Sequence, residues 1–212
     1  LGQILPAVPS GRVIEEPFKP KLTELGEKHP VTRDLPGAGE DPSWGRWFRV
    51  ADVSARDSAA VMKGPNDAPL LILGERGQGR VAILLSDHIW LWARGYEGGG
   101  PYTDLLRRLA HWLMKEPDLE EETLKATSRD ETLTIERRSV KDEVEPVTVT
   151  GPSGKEETVT LDQVEPGLWR KLIKAPEQGV YRVASGELAN VVTVGKANTK
   201  ELARVTATRA AG

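Results

Sequence analysis

The chain has 212 residues, 38% of them hydrophobic and 29% charged, and a net charge of −3. That length suits one or two domains of ordinary globular composition, and the charge gives no broad cationic surface for nucleic acid. With no cysteine, the chain cannot contain a disulfide, a thiolate metal site or a thiol nucleophile, although its compartment stays open.

The longest apolar run, Val81–Leu85, is far shorter than the roughly 20 residues of a membrane-spanning helix. Leu1–Ser10 lacks the charged and apolar segments of a signal peptide. The first residue is not Met and loop-like sequence follows it, so a piece of a longer protein is expected.

Gly11–Phe18 is expected as a short strand stopped by Pro17 and Pro20. Lys21–Lys28 reads as one or two helical turns, with Leu22 and Leu25 at i, i+3 spacing. His29 precedes Pro30 and must leave the helix, because a residue before proline is pushed towards extended geometry. Arg33–Ser43 is loop, Trp47–Val53 a strand and Ala59–Lys63 a weaker strand signal. Pro69–Leu73 and Arg80–Asp87 are the strongest strand signals, joined by a hairpin through Glu75–Gly79. Val81–Leu85 has no polar alternation, the pattern of a central strand covered on both faces in an α/β sheet. After a polar and aromatic shelf and a glycine run comes a helix over Tyr102–Lys115, with Pro101 at its first position and Lys115 in its last turn. Leu105, Leu106, Leu109, Leu113 and the side of Trp112 make its apolar face, while Asp104, Arg107 and Arg108 point outward. Pro117 ends it.

Strand, turn, strand, loop and helix in that order is how an open α/β domain closes, with a loop at the carboxyl end of a strand where such folds keep a site. Asp118–Glu122 is a charged connector, with Glu120, Glu121 and Glu122 as a solvated run. From Thr123 the apolar period becomes two. Leu133–Arg137, Val144–Thr150, Glu157–Leu161, Leu168–Ile173, Val180–Ala184 and Ala189–Val194 are short alternating segments, with turn signals about 10–14 residues apart. They predict an antiparallel, immunoglobulin-like β-sandwich with Trp169 and Tyr181 as core anchors. The expected architecture is therefore a partial, flavodoxin-like layered α/β domain over residues 1–117, an all-β sandwich over 118–197 and a tail over 198–212, a frayed helix from Asn198.

Asp87 and His88 are the catalytic candidates, an acid and an imidazole at a strand end where proton transfer is possible. Neighbours in a strand point to opposite faces, so the two do not form one dyad; the structural alternative has Asp87 capping the following turn. His29 and His111 read as structural, His111 partly buried and hydrogen-bonded beside Trp112. No metal-ligand spacing links the three histidines, and no cofactor is expected. Gly98, Gly99 and Gly100 present backbone N–H groups to an anion at a helix N-terminus, or else form a hinge or a tight strand-to-helix turn. No Lys-Ser/Thr pair follows them, so they are not a P-loop. Trp90 and Trp92, alternating on one face with Tyr96 nearby, form an aromatic shelf that stacks a sugar ring or packs against a neighbouring domain.

Four segments carry a resemblance: GEKHPVTRDLP (Gly26–Pro36), WGRWFRV (Trp44–Val50), GQGRVAILLSDHIWLWARG (Gly77–Gly95) and GGGPYTDLLRRLAHWLMKEPDLEEE (Gly98–Glu122). Together they resemble the C-terminal soluble region of bacterial membrane proteins with a class I glutamine amidotransferase-like domain, often with a von Willebrand factor A-like region. The resemblance extends through the β-rich Pro146–Val183. In active relatives a Cys on a nucleophile elbow works with a late His and a Glu. By order His88 falls at that His, but the expected HPE reads DHI here, and the elbow would lie upstream of Leu1. The resemblance implies a degenerate, non-catalytic layered domain and a β-sandwich, held at the membrane by the parent chain on its periplasmic or extracytoplasmic side.

Three functions compete: a binding or assembly module without turnover, a glycan or peptidoglycan binder using Trp90, Trp92 and Tyr96, and an amidotransferase- or hydrolase-type enzyme whose nucleophile lies upstream. Protein partners or self-association are expected, the latter because a sheet that has lost neighbours exposes an edge. No nucleic-acid partner is expected.

Overall fold

The computed structural model describes residues 6–55 and 60–195. The chain divides into two compact units. The first is Leu1–Glu122 with Ser139–Asp142 and Glu165–Gly167, and the second is Thr123–Arg138, Glu143–Val164 and Leu168–Gly212. The expected tail over 198–212 lies outside the described residues.

In the first unit, β1 (Ala7–Ile14) pairs with β3 (Val50–Ala55) as an antiparallel ribbon. A second sheet has the order β2 (Lys21–Leu22), β4 (Ala60–Lys63), β5 (Pro69–Arg76), β6 (Gly79–Leu84). All its pairs are antiparallel, β5 and β6 forming the expected hairpin. Connection length explains this. A parallel pair needs a crossover of a dozen or more residues, whereas β5 and β6 are joined by Gly77–Gln78 alone, with Gly77 at φ +60°.

The same hairpin corrects the assignment of the central strand. β5 lies between β4 and β6, so Leu70, Leu71, Ile72 and Leu73 are fully buried, while Val81–Leu84 sit half-buried at the sheet edge. Only part of Lys21–Lys28 is helical. Thr23 accepts a hydrogen bond from Gly26 N (3.0 Å) and starts α1 (Glu24–Lys28). The carboxyl half of the unit holds α2 (Ile89–Ala93) and α3 (Tyr102–Leu113), with a 3₁₀ turn at Tyr96–Gly98 between them. α3 buries Leu105 and Trp112, but Leu113 is exposed, and Arg108 turns back to donate to the Arg33 carbonyl.

The acidic connector is not a solvated run. Glu120 takes a 2.7 Å bond from Arg80, whose side chain is buried and lies over the Trp112 ring. Glu121 pairs with buried His29 at 3.3 Å, and Glu122 accepts from the Ser139 hydroxyl at 2.6 Å. Each carboxylate closes the shell of an interior cation or polar group, which a surface linker would not do.

The second unit contains β7 (Thr123–Arg129), β8 (Thr132–Arg138), β9 (Val147–Thr150), β10 (Glu156–Val159), β11 (Asp162–Glu165), β12 (Leu168–Lys174), β13 (Gly179–Ser185) and β14 (Leu188–Val194). Two four-stranded sheets, ordered β11-β12-β8-β7 and β10-β9-β13-β14, form a β-sandwich. Alternation along β8 buries Leu133 and Ile135, and they share a core with Val147, Val149, Trp169, Tyr181 and Val183. Two strands go beyond the expected six. β7 interleaves Lys, Thr and Ser, and β11 is exposed at every residue. Among the described residues no helix is long and apolar enough to cross a membrane.

Candidate functional site

The turn from β6 into α2 carries both catalytic candidates. Asp87 accepts Arg49 Nε at 2.9 Å on one oxygen and Arg49 Nη2 on the other, a bidentate fork. Arg49 beside it holds the Asp87 carboxyl below the usual carboxylate range. Asp87 therefore does not cap the turn. Ser86 does, its hydroxyl accepting His88 N at 3.2 Å. His88 Nδ1 accepts the backbone N–H of Phe48 at 3.0 Å, and Nε2 stands 4.0 Å from Asp87 Oδ1. Carboxylate and imidazole both serve the segment before β3, and no hydrogen bond joins them to each other.

The aromatic shelf takes a different form. Ile89–Ala93 is helical, and residues two apart on a helix point to nearly opposite sides. Trp90 is 53% exposed, whereas Trp92 is 3% exposed. Trp92 donates Nε1–H to the Gly45 carbonyl at 2.9 Å, with its ring 5.3 Å from Trp44 and 4.8 Å from Trp47. Outside, Tyr96 (39% exposed) meets Phe48 edge-on at 5.8 Å, and Phe48 meets His88 likewise at 6.1 Å. A second fork, Arg46 to Glu97, flanks this ladder and holds the Glu97 carboxyl down to about 2.

Two of the three glycines, Gly99 and Gly100, are packed tightly. Gly99 (φ +76°) accepts Gly45 N at 2.7 Å through its carbonyl, and Gly100 lies against the Trp92 ring so closely that a Cβ would stand 2.6 Å from Cε2. A tight turn is thus what the structure has, and not a hinge. Between this turn, the first turn of α3 and the Pro36–Trp44 loop lies a cavity of about 680 Å³, within the size range of small-ligand sites. Ser43, Thr103 and Asp104 give it hydroxyl and carboxylate groups, and Trp44, Trp92 and Gly98–Gly100 form its floor and wall. No lysine or arginine lines it, and Asp104 puts a carboxylate in the first turn of α3, an arrangement unsuited to an anion.

The structure thus sorts the sequence candidates into two groups. Trp92 and Gly98–Gly100 border the cavity, while Asp87, His88 and Tyr96 belong to the outer aromatic ladder and its forks. Trp90 faces solvent. Sequence reasoning missed Ser43, Trp44, Gly45, Arg46, Phe48, Arg49 and Glu97. The WGRWFRV segment, dense in aromatic and guanidinium groups, was the available signal. Among the described residues no group of three or more His, Asp or Glu could hold a metal ion. Compared with known proteins, the chain matches no family model and no curated protein.

Proposed function

We propose that the chain is a non-catalytic binding or assembly module, part of a bacterial cell-envelope membrane protein and exposed outside the cytoplasm. The observation that carries this reading is how its reactive groups are used. Asp87 is forked by Arg49 and His88 gives its Nδ1 lone pair to Phe48, while a cavity lined by other residues offers hydroxyl, carboxylate and indole surfaces. A group held in a structural bond through its reactive atom is poorly placed to move a proton. Such a cavity suits a small neutral or cationic hydrogen-bonding ligand.

In this reading the first unit is the closing part of a glutamine amidotransferase-like α/β domain, with β5, β6, α2 and α3 as its last hairpin and helices. The second unit is immunoglobulin-like. Its sheets β7-β8-β12-β11 and β14-β13-β9-β10 follow the order A-B-E-D and G-F-C-C′, in support of that assignment. A second reading, surface glycan binding, draws support from the exposed ring of Trp90.

The test is an NMR titration of the ¹⁵N-labelled chain with a library of small polar fragments, with each fragment's own spectrum followed alongside. The proposal expects amide shifts at Ser43, Gly98–Gly100 and Tyr102–Asp104 and unchanged fragments. Chemical conversion of a fragment would refute it, and shifts confined to Trp90 and its neighbours would favour the glycan reading.

A further inference from the structure

His88 stands where the segment before β3 meets the start of α2, with 16% of its side chain exposed. A ring nitrogen that accepts an N–H carries no proton, so the bond from Phe48 N to Nδ1 requires the neutral Nε2–H tautomer. A proton on Nδ1 would set donor against donor and turn the bond into a repulsion. The groups around the ring do not provide a replacement. Asp87, 4.0 Å from Nε2, attracts an imidazolium, but both its oxygens already receive Arg49, whose positive charge opposes that attraction. The Ser86 hydroxyl is engaged with the backbone N–H of His88, and the remaining face meets the Phe48 ring.

What the bond holds together matters for the cavity. Phe48 follows Trp47, which is buried against Trp92, and Gly45 in the same segment bonds both Trp92 Nε1 and the Gly99 carbonyl. The segment and α2 thus form the cavity wall jointly, and His88 ties one to the other.

The geometry points to His88 as a pH-sensitive latch: neutral, it fastens Phe48 to the start of α2; protonated, it releases Phe48 and loosens the wall of the cavity. Its consequence for ligand rests on the binding role given to the cavity, but the latch itself is read without any ligand. The bond needs the unprotonated ring, so its contribution is present while the ring is neutral and is lost once the ring takes up a proton. Because the fastened form excludes the proton, the ratio of released to fastened states rises as pH falls.

The experiment follows the Phe48 amide protection factor and the His88 ring resonances in the full chain from pH 8 to pH 5. The expected result is a loss of Phe48 protection as pH falls, complete by the pH at which the His88 ring resonances report the protonated form. In His88→Asn the amide oxygen sits near the place of Nδ1 and accepts without titrating, so protection is retained and flat with pH. The Leu85 amide, bonded to the Leu70 carbonyl at 2.8 Å and to no imidazole, separates a general acid effect from the latch. Phe48 protection that stays constant through the His88 titration, or an equal pH step in His88→Asn, would overturn the proposal. Because no ligand enters this measurement, a failed fragment titration leaves it standing, and the reverse also holds.

Discussion

Replacing Gly100 by alanine tests whether the glycine turn is packed or free. The added Cβ would stand 2.6 Å from Trp92 Cε2, where carbon atoms normally keep about 3.5–4.0 Å, so ring or backbone must move by about 1 Å. Trp92 has little freedom to move, with its N–H bonded to Gly45 at 2.9 Å and two indoles against its ring. Overpacking costs about 1–3 kcal/mol and a lost hydrogen bond about 1 kcal/mol, giving roughly 2–4 kcal/mol. Gly98→Ala is the comparison. Nothing lies within 4 Å of its missing Cβ, and only the φ of +92° opposes a side chain, at about 1–2 kcal/mol. Urea unfolding followed by tryptophan fluorescence reports mainly on the first unit, because five of the six tryptophans, all but Trp169, lie there. With an m-value of about 2 kcal/mol/M, the midpoint for Gly100→Ala should fall by about 1–2 M, against about 0.5–1 M for Gly98→Ala. Equal shifts, or the reverse order, would refute the packing argument.

Three further changes probe the interior. His29, first among its neighbours, holds the Glu121 carboxyl below the usual carboxylate range. A carboxyl held low contributes stability above that range and loses it as pH falls through the lowered value, so Glu121→Gln should depress the melting temperature at pH 7 and converge on wild type towards pH 3. A difference independent of pH in calorimetry would contradict this. In the sandwich, Trp169→Ala should cost about 3–5 kcal/mol by hydrogen exchange of its strands, since Trp169 is a core residue. Val191→Ser on the outer face should change little, within about 0.5 kcal/mol, because Val191 is exposed. A larger loss at Val191 than at Trp169 would show the faces of β14 or β12 to be misassigned.

Local periodicity was legible where one element settles the matter by itself. The alternating strands of the sandwich, the β5–β6 hairpin with its glycines and the amphipathic α3 all follow from spacing along a few residues. Position within a sheet is a different kind of fact. Val81–Leu85 and Leu70–Leu73 look alike as apolar runs, and only the pairing of β4 with β5 decides which is interior. Ile89–Ala93 is five residues long, too short to display a helical period, so its two indoles resemble a strand's alternation. The site was less legible still. The Arg49–Asp87 and Arg46–Glu97 forks and the Arg80–Glu120 pair join residues far apart in the chain, and only folding brings the WGRWFRV segment against α2 and the glycine turn. The same long-range pairing turned an apparent solvated acidic run into partners for Arg80, His29 and Ser139.

The central claim is that ligand is bound in the cavity beside α2 without turnover by Asp87. Isothermal titration with the best fragment hit, run on wild type, Thr103→Phe and Asp87→Asn with product formation monitored in each, tests it most directly. Thr103 lines the cavity and Asp87 does not. A bulky ring at 103 should therefore abolish binding, Asp87→Asn should keep it, and no product should form. Product formation that disappears in Asp87→Asn, or binding indifferent to Thr103→Phe, would contradict it.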